Sequence, residues 1–294
     1  MSNRLGPVSR HIHVIGIGVG DPDYLTVQAI KALNGTQVFF AMDKGEAKSD
    51  LVALRQEICA RFIREPGYRF VELPDPKRAA SLAGQAGYRE AVSDWHAERA
   101  RVWAKAIDTE LGPDGVGAFL AWGDPSLYDS TLRILDAVAA EVDIDYDVIP
   151  GITAVQALTA RHRITLNEVG EPVLITTGRQ LRARGIAGSA VGSVIVLLDA
   201  ECSFRACPPK TRIWWGAYLG TDHELLVAGT IGEVGPQIEQ LRAEARAQHG
   251  WIMDTYLLRP VEAGRTENEI SRRKRFARSV QSGAKTTLKL PSAD

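Results

Sequence analysis

Cysteine is scarce in these 294 residues. Cys59, Cys202 and Cys207 are odd in number and have no CxxC spacing, which argues against a disulfide framework or a zinc ribbon and fits a reducing compartment. Long apolar runs are missing as well. None approaches the ~20 residues of a membrane span, and "MSNRLGPVSRHIH" at the start lacks the apolar segment of a signal peptide, so the expected location is cytoplasmic. Charge of either sign is not in excess: the formal net charge is −1, and no global basic field argues for nucleic acid. What remains is 45% hydrophobic, 24% charged and 7% aromatic, the composition expected of a soluble globular protein. That length holds one large domain or two of ordinary size, and no repeat of solenoid period is visible.

Short apolar runs alternate with amphipathic stretches. "HVIGIG" (13–18), "TQVFFAMD" (36–43), "YRFVELPDP" (68–76), "GVGAFLAW" from 115 and "YDVIPGI" (146–152) read as strands. "DYLTVQAIKALNG", "SDLVALRQEICARFI" (49–63), a long stretch at 88–111, "TLRILDAVAAE" and "TAVQALTARHRI" read as helices between them. Such alternation implies parallel strands joined by crossover helices. From "PVLITTG" onward the pattern holds five strand-like runs and one clear long helix, which predicts a mixed sheet with hairpins. The predicted organisation is an N-terminal α/β domain at 1–168, a C-terminal α/β domain at 169–260 and a basic tail at 261–294. The tail reads as a disordered solvated segment or a nucleic-acid-binding arm.

Three glycine loops end strands on what should be one edge of the first sheet, where open α/β sheets bind ligands. The first, "GIGVGDP", resembles a phosphate loop only at a glance. Its spacing is Gly16-x-Gly18-x-Gly20, one residue short of the dinucleotide fingerprint. Asp21 puts negative charge where a phosphate would sit, Pro22 removes a backbone donor, and no Gly-Lys-Ser/Thr follows. The second repeats Gly-Asp-Pro at 123–125, and the third is Pro150-Gly151 ahead of Thr153. Glycine lets backbone approach a ligand closely. Acidic loops without phosphate donors suit an uncharged ribose or a cationic group.

At these loops the chain resembles the tetrapyrrole methylase family. "GIGVGDPDYLT" (16–26) is similar to the family's GxGPGDPxLLT, "WGDPSLY" (122–128) to GGDPxxF, and "PGITA" (150–154) to PGIT followed by Ser or Ala, in the family order. Further stretches, among them "VFFAMDKGEAKSDLVALRQEIC" and "GWIMDTYLLR", resemble the deacetylating subgroup of corrin biosynthesis. The resemblance implies two α/β domains with S-adenosylmethionine in the cleft between them, a homodimer, and a precorrin substrate, with neither nucleic acid nor membrane as partner. The reaction it implies is methylation of precorrin-5 at ring carbon C-1 with loss of acetate. Cofactor contacts would fall on Val19, Trp122, Gly123, Asp124, Leu127, Thr153 and Ala154, and, by strand order, on Leu198, Ala217 and Met253. Val19 departs from the family's proline and Trp122 from its glycine, so Trp122 would serve through its backbone.

Methyl transfer from a sulfonium needs positioning rather than a nucleophile triad, and no triad is visible. Acetate release needs water and a base. Acids at strand ends include Asp129, Glu171, Asp199 and Glu201, and the choice falls on Asp21, Asp43 and Asp254. Asp254 stands out because "WIMDTYLL" otherwise reads as buried strand. A polycarboxylate substrate calls for cations, and Lys44, Arg133 and Arg179 are chosen, with Arg182 beside them. His11 and His13 alternate at the entry of the first strand without a third ligand, and no metal is expected. Other readings stay open: a methyltransferase of the same fold acting on RNA or a protein side chain, or a nucleotide-dependent oxidoreductase.

Overall fold

The computed structural model describes residues 10–42, 49–76, 85–186 and 192–260. Asp43, Lys44 and the 261–294 tail lie outside the described residues. Among them, two five-stranded sheets and seven α-helices form an α/β architecture.

The first sheet holds β1 (Arg10–Gly16), β2 (Val38–Met42), β3 (Arg69–Leu73), β4 (Val116–Ala121) and β5 (Ile144–Ile149). Their spatial order is β3-β2-β4-β1-β5, and every pairing is parallel. Crossovers run through α1 (Val27–Gly35), α2 (Ser49–Phe62), α3 (Gln85–Glu110) and α4 (Thr131–Val138). Alternate residues of β1 face opposite layers, as the period of a strand requires. Ile12 and Val14 pack with Trp103, Ile107, Ile134 and Leu135 beneath α3 and α4, whereas Ile15 packs with Leu33, Phe39 and Ile58 beneath α1 and α2. The first helix begins at Val27, four residues later than its apolar spacing suggests. Asp21 caps a 3-10 turn at Pro22–Tyr24, and Thr26, which accepts from the Ala29 amide at 3.0 Å, is the true N-cap.

The second sheet is ordered β6-β7-β10-β8-β9, from β6 (Val173–Thr177), β7 (Ser193–Leu197), β8 (Arg212–Ala217), β9 (Leu225–Thr230) and β10 (Asp254–Arg259). Only β6 and β7 are parallel, and β8–β9 is a hairpin. One face, with Val194, Val196, Trp215 and Tyr256, is covered by α7 (Ile231–His249). A short helix that the sequence reading did not foresee, α6 (Gly178–Arg184), adds Leu181 to this layer.

The other face carries Ile195, Trp214 and Leu257, and it packs on α5 (Ala154–His162) through Val155 and Leu158. Thus α5, which follows the last strand of the first sheet, is a layer of the second. Val19, Trp122 and Leu127 from the glycine loops join the same apolar cluster. Within the described residues no helix is long and apolar enough to cross a membrane.

Candidate active site

The three glycine loops meet backbone to backbone at the carboxyl edge of the first sheet. Gly18 and Gly123 form an isolated bridge: the Gly123 amide donates to the Gly18 carbonyl at 2.7 Å, and the Gly18 amide returns a bond at 3.3 Å. A Cβ on Gly151 would lie 2.0 Å from the Gly123 carbonyl oxygen, and one on Gly16 would lie 2.6 Å from the Gly151 amide nitrogen. No side chain fits at either position, which is the physical reason glycine stands there.

Asp124 ties the second loop to the third. Its Oδ2 accepts from the Gly151 amide and its Oδ1 from the Ser126 amide, both at 2.8 Å. Burial pushes this carboxyl up, but the bonds from Ser126 and Gly151 outweigh it and hold the group below the ordinary carboxylate range. The site therefore keeps a fixed negative charge. Thr153 caps α5 in a capping box with Gln156, so its hydroxyl and its amide are both committed.

A cavity of about 310 Å³ lies against the second and third loops, lined by Asp124, Leu127, Gly151 and Thr153, by Leu166 from the connection after α5 and by Ile175 of β6. The loop after β8 closes on the first glycine loop. A Cβ on Gly20 would meet the Leu219 carbonyl at 2.6 Å, and one on Gly220 would meet the Asp21 amide at 2.8 Å. Asp21 is half-buried at this junction, its Oδ1 accepting from the Asp23 amide at 2.8 Å. A larger depression of about 400 Å³ sits at the opposite, amino-terminal edge beside Arg10 and Arg101, remote from the glycine loops.

Leu198, Ala217 and Met253 share one edge of the second sheet, because β10 runs antiparallel to β7 and β8. Leu198 is 65% exposed in a left-handed conformation, φ 53°. Such backbone is costly for a leucine, and residues held this way gather at functional sites. Ala217 is fully buried on the α7 side, so only its backbone is available at the edge.

Asp254 is placed elsewhere than the cleft. Strand alternation turns it to the α7 face, where its Oδ2 accepts from Arg242 Nε at 3.0 Å and Trp215 Nε1 at 2.9 Å. Burial pushes its carboxyl up, against the pull of the Arg242 guanidinium. With both side chains almost fully enclosed, the pair is a structural anchor of the second core, and a catalytic base is not what this geometry provides. Three of the other acids also have partners. Asp129 accepts from the Thr131 amide at the start of α4, Asp199 holds Ser203 and Tyr256, and Glu201 pairs with Arg182.

Arg133 is exposed in the first turn of α4, and its charge, with that of Arg99, helps to depress a His96 already lowered by burial. It thus stands at the carboxyl edge, next to α3. Arg179, exposed on α6, belongs to the second sheet. Sequence reasoning passed over Arg55. Its Nε donates to the Leu120 carbonyl at 3.2 Å, and Asp129 lies near enough to act on its charge. The signal was present: Arg55 falls on the apolar stripe of α2 with Ile58 and Phe62, where a charge needs a reason.

Comparison with known proteins agrees with this architecture. The family model of the tetrapyrrole (corrin/porphyrin) methylases matches residues 11–235. Precorrin-6A synthase [deacetylating] of Sinorhizobium sp is 49% identical over 253 residues, covering 85% of this chain and 95% of that protein. A crystal structure of a cobalamin synthesis related protein (CobF) from Corynebacterium diphtheriae superposes with a TM-score of 0.74 at 43% identity, over 86% of this chain and all of that one. A more distant likeness, TM-score 0.51 at 18% identity over 84% of this chain and 96% of that one, is uroporphyrin-III C-methyl transferase from Thermus thermophilus complexed with S-adenyl homocysteine, and it speaks for the fold. With three loops in order and a match across most of its length, the chain belongs to the tetrapyrrole (corrin/porphyrin) methylase family.

Proposed function

We propose that the chain is an S-adenosylmethionine-dependent C-methyltransferase of corrin biosynthesis, which methylates precorrin-5 at C-1 and releases acetate to give precorrin-6A. The observation that carries this reading is 49% identity along nearly the whole of a precorrin-6A synthase, on a chain whose second and third glycine loops border a cavity.

The residues present fit the cofactor. Glycine lets the loops pack backbone to backbone, the second and third of them beside the cavity, and the ionised Asp124 favours a cation over a diphosphate. When bound, the cofactor supplies a methyl group on positively charged sulfur. Val19, Trp122, Gly123, Asp124, Leu127, Thr153 and Ala154 would hold it from the loops. Leu198, Ala217 and Met253 would meet it from the second sheet.

The chain's own task is mostly placement, worth about 7–11 kcal/mol of barrier when the geometry is good. In acetate release, water adds to the acetyl carbonyl and the bond from that carbon to the ring breaks. Its electron pair stays in the macrocycle, where it makes the ring carbon nucleophilic. Asp21, beside the cleft mouth, takes the proton from water in this scheme, and Asp43 is the alternative base. Arg133 and Arg179, with Lys44, bind the substrate carboxylates, and Arg55 joins them. The homodimer implied by the family belongs to the same proposal, with light scattering as its check.

Calorimetry with S-adenosylmethionine comes first, followed by incubation with precorrin-5 and detection of acetate and a methylated product. Cofactor binding with acetate release is the expected outcome. Cofactor binding without acetate would leave the family assignment standing and remove the substrate assignment.

A further inference from the structure

We propose that His11, His13 and Asp147 form a binding site for one divalent transition-metal ion, of the Zn2+ or Co2+ class, at the amino-terminal end of the first sheet. The site is independent of the methyl-transfer reading and lies at the end of β1 opposite the glycine loops.

The geometry follows from the strand period. His11 and His13 are two residues apart on β1 and project to the same face. The edge strand β5 runs parallel in a register that sets Asp145 opposite His11 and Asp147 opposite His13. Both imidazoles aim a ring nitrogen at one carboxylate oxygen. His13 Nδ1 lies 2.6 Å from Asp147 Oδ1, and His11 Nε2 lies 3.4 Å from the same atom. The rings are 4.7 Å apart and steeply inclined, at 74°. One donor atom from each residue falls within 4.8 Å of the other two, and among the described residues this is the one such group of three or more.

Two imidazoles and a carboxylate are ligands suited to zinc and its neighbours. Three protein ligands with open positions for water make the donor set of an accessible site rather than a closed structural one. The side chains of His13 and His11 are 16% and 32% exposed and that of Asp147 is 47% exposed, so an ion can enter without a path being opened. Asp145 completes the arrangement. Its Oδ2 stands 3.7 Å from the remaining nitrogen of His11, the position from which an outer carboxylate orients a ligating histidine. In the metal-free chain the close contact between His13 Nδ1 and Asp147 Oδ1 holds the group together. An ion takes the place of that contact and links the edge strand to the strand beside it.

The test uses the full chain, freed of metal with a chelator. Titration with Co2+ should give the visible absorption of a nitrogen- and oxygen-ligated ion, saturating at one site and displaced by Zn2+. Zn2+ should also raise the melting temperature. His11→Ala and His13→Ala should each abolish the signal, and Asp145→Asn should weaken binding about tenfold. Circular dichroism checks that the variants fold. If a histidine variant does not, Asp147→Asn, which keeps the side chain's shape, replaces it. His223 and His249, whose rings lie 4.5 Å apart, are the competing pair. Binding that persists in the His11→Ala/His13→Ala double variant, or vanishes in His249→Ala, overturns the proposal, as does the absence of saturable binding.

Discussion

Gly151→Ala is a one-carbon perturbation whose effect can be worked from the loop geometry. The position has no left-handed backbone, since Gly151 is not among the residues with positive φ. Alanine therefore meets no conformational penalty, and the whole cost is steric. Its Cβ would stand 2.0 Å from the Gly123 carbonyl oxygen and 2.8 Å from two backbone atoms of Gly16. Ordinary non-bonded separations are about 3.5–4.0 Å, so the loops must part by more than ~1 Å. Overpacking of this kind costs about 1–3 kcal/mol. The shift also strains the Gly151 to Asp124 bond, which places the expectation at the upper end. At roughly 2–4 °C per kcal/mol for a chain approaching this size, the melting temperature should fall by about 5–12 °C. S-adenosylmethionine affinity, read by calorimetry, should drop at least tenfold, because the parted atoms border the cavity. Gly35→Ala is the matched control. It closes α1 with nothing within 4 Å of the added carbon, and it should leave both measurements unchanged or raise stability slightly. If Gly151→Ala melts and binds like the parent chain, the three loops do not pack as described.

Asp124→Asn removes one of two acceptor oxygens and should cost about 1–2 kcal/mol. The parent carboxyl is held below its ordinary range, so its contribution is present at neutral pH and is lost as pH falls through the folded value. The variant should flatten the acid limb of a stability profile below about pH 4. Arg242→Met strands a buried Asp254 and should lower stability by about 3–5 kcal/mol in urea unfolding. By contrast, Asp254→Asn should leave turnover per folded molecule intact, and a hundredfold loss of kcat at parental stability would return Asp254 to the catalytic machinery. Burial lowers His162, which meets the Trp215 carbonyl at 3.0 Å. Its contribution is complete above the ordinary value near 6.5 and erodes as pH falls below it. His162→Gln should weaken that dependence between about pH 7 and 5, measured by denaturant midpoints.

Much of the fold was legible because local and tertiary demands coincide. The inner strands β2 and β4 are nearly continuous apolar runs, as parallel strands buried on both faces must be, and Gly16, Gly123 and Gly151 mark where β1, β4 and β5 stop. The carboxyl edge followed from that order alone. Less legible was Asp254, since a charged residue in an apolar run is the same signal whether it serves chemistry or an ion pair. Its partner Arg242 lies on a helix whose apolar stripe does not announce it. The start of α1 was misplaced because Leu25 continues a helical spacing that Pro22 and Thr26 override. His11 and His13 were visible as an alternating pair, but their third partner comes from a strand more than a hundred residues away, and only the parallel register brings it there.

The placement of α5 also bears on how the chain can be divided. Helices in a crossover architecture ordinarily cover the sheet whose strands they connect, and by that rule a cut after α5 releases an intact first half. Here the cut would strip Val155 and Leu158 from Trp214 and Leu257, leaving one fragment with a naked helix and the other with a naked sheet face. The third glycine loop is continuous with that helix. The cavity is thus built on both sides of that cut, and recombination between relatives should respect a joint ahead of Gly151 rather than one after His162.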